Sequence, residues 1–165
     1  MSKVYLISDL HLGHRNIANH RKCVSSEEEN YWILRDNWHK AVTKRDTVYM
    51  LGDVCFTEDR LRDLSEWAGR KILIAGNHCT DGIPMKTICE YYDAVYSLHR
   101  YKKAWLSHAP LHQDELRGRV CIHGHTHYHQ IDDPRYLNVC VENTEMYPVS
   151  FEIVREVFKT RGIEI

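Results

Sequence analysis

The sequence predicts a layered α/β sandwich in a single domain spanning residues 1–165. Two observations lead to this fold class. Short apolar runs alternate with helical patterns in the first half of the chain, and strand-like runs dominate the second half. A length of 165 residues allows one domain to bury a substantial hydrophobic core. The sequence shows no internal repeat, low-complexity segment or linker that would divide it.

The first half of the chain contains three strand signals and two helix signals. Ser26 precedes three glutamates, which is typical of a helix start because serine caps free amides and acids favour the first turn. The apolar stripe that follows includes Trp32 and Trp38, which we expect in the core. A second helix is predicted over residues 59–68, with Gly69 at its end. Buried strands are predicted at residues 3–8, 47–51 and 71–75.

The second half of the chain is richer in strand signals. A short helix is predicted over residues 83–92. The final helix opens with Pro148, Val149 and Ser150, and its apolar residues have helical spacing at positions 153, 154, 157 and 158. Between these helices, four further strands are predicted at residues 94–99, 104–107, 120–123 and 136–139.

The composition is that of a globular protein without a strong charge bias. Apolar residues make up 43% and charged residues 27% of the chain. With a formal net charge of -1, no global basic field would draw it onto nucleic acid or an anionic membrane. The first apolar run is too short for a signal peptide or membrane-spanning helix, so we expect a cytoplasmic protein. The six cysteines are scattered without a CxxC pair, which indicates reduced thiols.

Polar side chains with metal-binding chemistry follow the predicted strands, at the point where each strand ends. In α/β sheets the carboxyl ends of the strands face the binding crevice, so residues about 100 positions apart can meet there. Because these side chains share this position and chemistry, we treat them as one constellation. Seven are candidate metal ligands: Asp9, His11, Asp53, Asn77, His108, His125 and His127.

The candidate ligands combine carboxylate, imidazole and amide oxygen donors. Imidazole suits Zn, Fe, Ni and Mn, whereas carboxylate and amide oxygen favour harder ions such as Mn. Asp9 and His11 are two residues apart, as are His125 and His127. On an extended segment such residues point the same way, so each pair can present two donors to one centre. Seven donors are too many for one tetrahedral ion, and they predict two divalent transition-metal ions, with Mn favoured over Ni, Fe or Zn, sharing a bridging carboxylate.

The order of these motifs resembles that of the calcineurin-like metallophosphoesterase superfamily. The blocks Asp-x-His, Gly-Asp, Gly-Asn-His, His and Gly-His-x-His occur in that order between Asp9 and His127. Residues 107–111 and 117–119 also look like those of small bacterial and phage phosphoesterases. The resemblance implies a four-layer α/β/β/α sandwich of two mixed sheets that holds a dinuclear phosphoesterase site.

The resemblance also implies a role for each residue of the site. Asp53 would bridge the two ions. His78 would bind no metal, but it would contact the phosphate and assist the leaving group. Two ions about 3.5–4 Å apart would clamp the phosphate and lower the pKa of a bridging water, which attacks as hydroxide. The remaining ligands would divide into one set of Asp9, His11 and His127 and a second set of Asn77, His108 and His125.

One position departs from the family pattern. An acid usually follows the Gly-Asn-His motif and supports the catalytic histidine, but here the residue is Cys79. Another carboxylate, Asp81, could take its place, or Cys79 could simply be a small buried residue. We expect His14 either to line the substrate cleft or to be an ordinary loop histidine. His123 is expected behind the ligands or at the surface, with an additional metal-binding role as the alternative.

The leading functional hypothesis is a phosphoesterase that acts on a small phosphoester or nucleotide. Diesters are favoured over monoesters, because little chain follows the last motif to form a cap and the site should be open. The resemblance implies that such open members hydrolyse 2′,3′-cyclic nucleotides. One alternative is a nuclease on single-stranded nucleic acid, in which Arg15, Arg21 and Lys22 follow the backbone, although the near-zero net charge argues against it. The other is a non-catalytic scaffold, against which the presence of His78 argues.

Overall fold

The computed structural model of the protein describes residues 2–165. Over this range the chain forms nine β-strands and four α-helices, arranged around two mixed sheets. This architecture confirms the predicted α/β sandwich of two mixed sheets. The two sheets pack face to face, and the strand ends that carry the polar motifs meet at one edge of the sandwich.

The first sheet contains four parallel strands and one short antiparallel strand in the described chain. The parallel strands are β1 (Val4–Ile7), β2 (Thr47–Met50), β3 (Arg70–Ile74) and β4 (Ala94–Tyr96). The antiparallel strand, labelled β9 (Val149–Ser150) by its place in the chain, pairs with β1. The order across the sheet is therefore β4-β3-β2-β1-β9, which places the ends of β1, β2 and β3 side by side.

The second sheet contains four strands in the order β5-β6-β7-β8 over the described residues. These strands are β5 (His99–Tyr101), β6 (Ala104–Leu106), β7 (Val120–His123) and β8 (Tyr136–Asn138). Strand β5 is antiparallel to β6, whereas β6, β7 and β8 are parallel. Since β6 and β7 are parallel neighbours, their carboxyl ends also lie at one edge.

Two of the four helices in the described chain, the first and the last, begin at serine caps that the sequence signals. The helices are α1 (Glu27–Ala41), α2 (Glu58–Ser65), α3 (Met85–Cys89) and α4 (Phe151–Thr160). The hydroxyl of Ser26 accepts a hydrogen bond from the Glu29 amide at 3.0 Å. The hydroxyl of Ser150 accepts one from the Ile153 amide at 3.3 Å. Each bond satisfies an amide that the first turn of a helix leaves without a partner.

Alternate residues of the first sheet enter two different apolar clusters. On β1, Tyr5 and Ile7 pack with the residues of α1 and α2, whereas Leu6 faces the second sheet. The cluster between the sheets also takes up Phe151 and Phe158 from α4. Burial of both faces explains why the parallel strands read as nearly continuous apolar runs. A third cluster on the other side of β7 contains Leu116, Cys121 and Tyr136.

Three details differ from the sequence-based expectations. Residues 94–99 do not form one strand, because the chain crosses from the first sheet to the second between β4 and β5. Residues 148–150 do more than open α4, because Val149 and Ser150 pair with β1 as β9. Trp38 is fully buried, but Trp32 is 47% exposed. Six positions along an α-helix amount to a rotation of about 240°, so the two indoles point in different directions.

Two broader properties concern the thiols and membranes. All six cysteines are free in the structure, and four of them are buried. Free, scattered thiols agree with the reduced state that the spacing predicts. No helix among residues 2–165 combines the length and the apolar character needed to cross a membrane.

Candidate metal centre

The ends of strands from both sheets bring the predicted ligands together. Asp9, Asp53 and Asn77 follow β1, β2 and β3, whereas His108 and His125 follow β6 and β7. The backbone amide of His125 donates to Asp9 Oδ2 at 2.8 Å, which joins the two sheets across the site. In the described chain, residues that could hold a metal ion form two groups: a first group of Asp9, His11 and His127, and a second group of Asp53, His108 and His125.

The first group leaves two polar atoms unsatisfied. Asp9 Oδ1 lies 3.5 Å from His11 Nε2 and 3.9 Å from His127 Nε2. Asp9 Oδ1 and His11 Nε2 are buried without a hydrogen-bond partner among residues 2–165. The other oxygen, Asp9 Oδ2, lies 2.6 Å from Ser8 Oγ and 3.2 Å from Cys140 Sγ. Unpaired buried polar atoms are costly, so the geometry fits a cation that both atoms would bind.

The second group converges on one nitrogen of His108. Its Nε2 lies 3.1 Å from Asp53 Oδ2, 2.9 Å from Asn77 Oδ1 and 3.2 Å from His125 Nδ1. Its Nδ1 lies 2.7 Å from the Leu51 carbonyl oxygen, which can only accept, so we assign a ring hydrogen to Nδ1. The Nε2 lone pair can then face a carboxylate, an amide oxygen and a second imidazole. This mixed donor set fits a divalent ion.

The buried carboxylates of both groups favour the ionised form. Burial alone would raise the pKa of Asp9, but the nearby His11 imidazole, the charge of His108 and the hydrogen bond from Ser8 hold that pKa well below its ordinary value. Burial also opposes ionisation of Asp53, yet its contact with the His108 imidazole lowers its pKa. Despite its own burial, His108 has a raised pKa because Asp53 and Asp9 stabilise its charged form. The two carboxylates thus create a strongly negative floor that attracts cations.

Five of the predicted ligands have a left-handed backbone conformation. The angle φ is 59° at Asp9, 52° at His11, 50° at Asp53, 69° at His125 and 47° at His127. Non-glycine residues in this region are strained, and they cluster at functional sites. We had expected both pairs, Asp9 with His11 and His125 with His127, to lie on extended segments. The left-handed φ angles show that they do not. Asp9 and His11 stay in one group, but the turn sends His125 and His127 to different groups.

Two glycines of the motifs allow the ligands to approach the backbone. A Cβ atom on Gly124 would lie 1.9 Å from Ser8 Oγ and 2.4 Å from Asp9 Oδ2. A Cβ atom on Gly76 would lie 2.3 Å from Asp53 Oδ1. Both positions therefore require the absence of a side chain, because the carboxylates occupy that space.

The predicted catalytic residue, His78, lies beside the second group. Its backbone amide donates to Asp53 Oδ1 at 2.9 Å, and its Nδ1 lies 2.6 Å from Asp81 Oδ2. Asp81 thus occupies the supporting position for which the sequence offered it as a candidate. Cys79 is instead buried, and its Sγ accepts a hydrogen bond from the Gly76 amide at 3.2 Å. Because the carboxylate can only accept, His78 presents Nδ1–H to Asp81 and leaves Nε2 free.

Other residues singled out in the sequence lie around the centre. Arg21 is fully buried, so the expectation that it follows a nucleic-acid backbone is wrong. The imidazole of His14 is centred 5.7 Å from that of His11, next to the first group. His123 is fully buried with Nδ1 2.8 Å from the Gly124 carbonyl oxygen, and it belongs to neither group.

The sequence did not point to Glu142. Its Oε1 lies 3.0 Å from His127 Nδ1, although 15 positions separate the two residues. The hydrogen bond raises the pKa of His127. Glu142 belongs to no motif block and follows no long strand, so sequence spacing carries no signal of the contact.

The whole arrangement corresponds to a known family. Residues 2–160 match the calcineurin-like phosphoesterase family. The chain belongs to this family. Calcineurin-like phosphoesterases are metal-dependent hydrolases of phosphoesters, and the two ligand groups are candidate sites for the divalent metal ions that the family implies.

Several proteins resemble this chain in sequence over most of their length. An uncharacterised protein of Methanocaldococcus jannaschii is 32% identical over 168 residues, which cover 93% of this chain and 90% of that protein. The gene 66 protein of Mycobacterium phage L5 is 33% identical over 164 residues, with 77% and 78% covered. Similar sequences thus occur in an archaeon and in a mycobacterial phage.

Two solved structures share the fold. A protein of unknown function from Aquifex aeolicus superposes with a TM-score of 0.78 at 26% sequence identity, covering 95% of this chain and all (100%) of that chain. A nuclease of Pseudomonas putida gives a TM-score of 0.50 at 18% identity, covering 75% of this chain and 60% of that chain. The second likeness is one of fold only.

Proposed function

We propose that this calcineurin-like phosphoesterase has a dinuclear metal centre and prefers phosphodiesters, 2′,3′-cyclic nucleotides among them, over phosphomonoesters. The observation that carries the proposal is the position of Asp53. Its Oδ2 lies 3.1 Å from His108 in the second group, and its carbonyl oxygen accepts from the His11 amide of the first group at 3.0 Å. This position, between the two groups, supports the role of a shared ligand.

In this proposal the other six ligands divide evenly. The first ion would be held by Asp9, His11 and His127, and the second by Asn77, His108 and His125. When bound, two divalent ions would neutralise the phosphate and activate a water at neutral pH, and the carboxylate and amide oxygens in the mixed donor set favour Mn. The chain itself keeps the ligands in place: Ser8 and Cys140 contact Asp9, and the Leu51 carbonyl orients His108.

We further propose that His78 donates a proton to the leaving oxygen. Its side chain is 49% exposed, so it can reach a substrate that lies over the buried carboxylates. The contact with Asp81 fixes the ring through Nδ1 and leaves Nε2 free to face the leaving oxygen. The contact of its amide with Asp53 holds the residue next to the phosphate position.

The shape of the site supports the preference for diesters. The carboxylates of Asp9 and Asp53 form the floor, with side chains only 1% and 2% exposed. His127, 36% exposed, and His78 stand at the rim. A floor of this kind under an open rim accommodates a phosphate with two organic arms.

Metal analysis and a substrate screen test the proposal. After mild purification we expect about two transition-metal equivalents per chain, because seven donors suit two ions. The screen compares bis-p-nitrophenyl phosphate, p-nitrophenyl phosphate and 2′,3′-cyclic nucleotides in the presence of Mn, Ni, Zn or Mg. One metal equivalent or none would overturn the dinuclear proposal, and a higher kcat/KM for the monoester would overturn the diester preference.

Variants of two site residues separate metal binding from catalysis. Asp53→Asn should lose metal and activity together, because the shared carboxylate is removed. His78→Ala should keep both metals and lose turnover by about 10²–10⁴-fold. His39→Ala, on the exposed surface of α1, is the matched control and should change neither property. A wild-type protein that binds two metals but hydrolyses none of these esters would favour the non-catalytic scaffold.

A nuclease is the second candidate, favoured by one exposed aromatic residue. Tyr128 follows His127 directly, is 50% exposed, and its hydroxyl lies 3.4 Å from the Lys22 amide. An exposed aromatic ring beside a phosphate site can stack on a base. The likeness of fold to the Pseudomonas putida nuclease adds to this candidate. Cleavage of single-stranded oligonucleotides that weakens steeply with salt and fails in Tyr128→Ala would support it.

A further inference from the structure

We propose that Glu142 is a positioning residue for the first metal group and that Arg21 joins it to the Asp9 backbone. This inference rests on the proposed metal centre. Neither residue belongs to either ligand group, yet both contact members of the first group. Together, Arg21 and Glu142 form a buried ion pair directly behind that group.

Glu142 determines which nitrogen His127 presents to the site. Its Oε1 lies 3.0 Å from His127 Nδ1, and its side chain is only 1% exposed. A carboxylate can only accept, so His127 donates through Nδ1. The opposite nitrogen, Nε2, faces Asp9 Oδ1 at 3.9 Å. A carboxylate behind a ligating histidine fixes both its tautomer and its ring orientation.

Arg21 extends this constraint to the second ligand of the group. Its side chain is 0% exposed. Its Nε and Nη2 lie 2.9 Å and 2.8 Å from Glu142 Oε1, and its Nη2 also donates to the Asp9 carbonyl oxygen at 2.6 Å. Asp9 has a strained, left-handed backbone. The Arg21 guanidinium therefore holds the strained Asp9 backbone and the Glu142 carboxylate, which contacts His127, in fixed positions relative to each other.

A purely structural ion pair is the alternative explanation. Buried ion pairs often contribute little to stability compared with apolar residues of similar volume, so stability alone does not account for this one. The use of the carboxylate is also one-sided. Oε1 contacts both Arg21 and His127, while Oε2 is buried without a partner within the described part of the chain. The carboxylate oxygen that pairs with Arg21 is therefore the same one that contacts His127, and the second oxygen contributes nothing to the ion pair.

Metal titration of apo-protein variants tests the proposal without an activity assay. Glu142→Gln keeps the size of the side chain but removes its charge, and Glu145→Gln is the matched control on an exposed residue of the same loop. Calorimetric titration with Mn²⁺ should show two sites in the wild type. In Glu142→Gln, one of them should weaken by about 10–100-fold, because loss of such a supporting partner has that effect. The other site and both sites of Glu145→Gln should be unchanged.

The outcomes separate this inference from the proposed centre. Wild-type protein without two Mn²⁺ sites would contradict the dinuclear centre itself. Two wild-type sites that persist with equal affinity in Glu142→Gln would overturn the positioning role alone. If Glu142→Gln does not fold, nitrogen NMR on the wild-type protein loaded with Zn²⁺ still decides. A hydrogen on His127 Nδ1 is expected, and a hydrogen on Nε2 instead would overturn the inference.

Discussion

Replacement of Gly124 by alanine should displace Ser8 and Asp9 and so disrupt the first ligand group. The new Cβ would lie 1.9 Å from Ser8 Oγ, whereas real Cβ contacts are essentially never below 3.0 Å, so atoms must shift by about 1 Å. Ser8 cannot yield easily, because its hydroxyl lies 2.6 Å from both the Leu51 carbonyl oxygen and Asp9 Oδ2. Overpacking costs about 1–3 kcal/mol. Loss of a buried hydrogen bond to a charged group costs about 1.5–3 kcal/mol. The sum is about 2.5–6 kcal/mol.

Urea unfolding of the metal-free protein measures this loss, and metal titration measures its effect on the site. Gly118→Ala is the control, because no described atom lies within 4 Å of its Cβ. Its φ of +77° still carries a backbone cost of about 1–2 kcal/mol, so the control includes strain without a clash. The close packing of Gly124 against Asp9 would be refuted by two results together. Gly124→Ala would lose less free energy of unfolding than Gly118→Ala, and its metal affinity would be unchanged.

Three further predictions concern separate parts of the molecule. Asp81→Asn should reduce turnover about 10-fold or more while metal content stays the same, because His78 loses its carboxylate; unchanged turnover would exclude that support. Lys71→Met should lower the free energy of unfolding by about 1–3 kcal/mol without affecting metals, because the buried ammonium donates to the Trp67 and Ser65 carbonyls; a change below the error of the urea titration would contradict this. A thiol reagent should modify the exposed Cys23 and Cys89 in the native protein. The other four cysteines should react only after unfolding, because they are buried and burial raises the pKa of their thiols; full labelling of the native protein would contradict this.

Local sequence patterns were enough to predict the main helices and strands of the fold. Serine caps and acidic first turns mark the starts of α1 and α4 because capping involves only residues three positions apart. Apolar runs mark β1, β2 and β3 because both faces of these parallel strands are buried. The crossing between β4 and β5 escaped prediction, since the apolar pattern is the same whether two short strands share a sheet or not. Trp32 was misplaced because a stripe drawn from a few residues leaves the helix rotation open.

The contacts behind the site needed the folded chain. The link between Arg21 and Glu142 spans 121 positions, and nothing in either local sequence predicts it. The resemblance placed His125 and His127 in different sets, but residue spacing did not reveal the left-handed φ angles that accompany this division. Asp81 could be offered as the partner of His78, but only the turn that brings their side chains to 2.6 Å decides between it and Cys79.

The sequence by itself determined the chemistry of this protein: which donor types are present, the order in which they follow strands, and the family to which that order belongs. Strand signals and motif spacing are local, so a single chain displays them. The tertiary structure alone decided which atoms remain unsatisfied and which buried residues hold the ligands. These properties depend on backbone angles and on contacts between distant segments, and such contacts exist only once both sheets have packed.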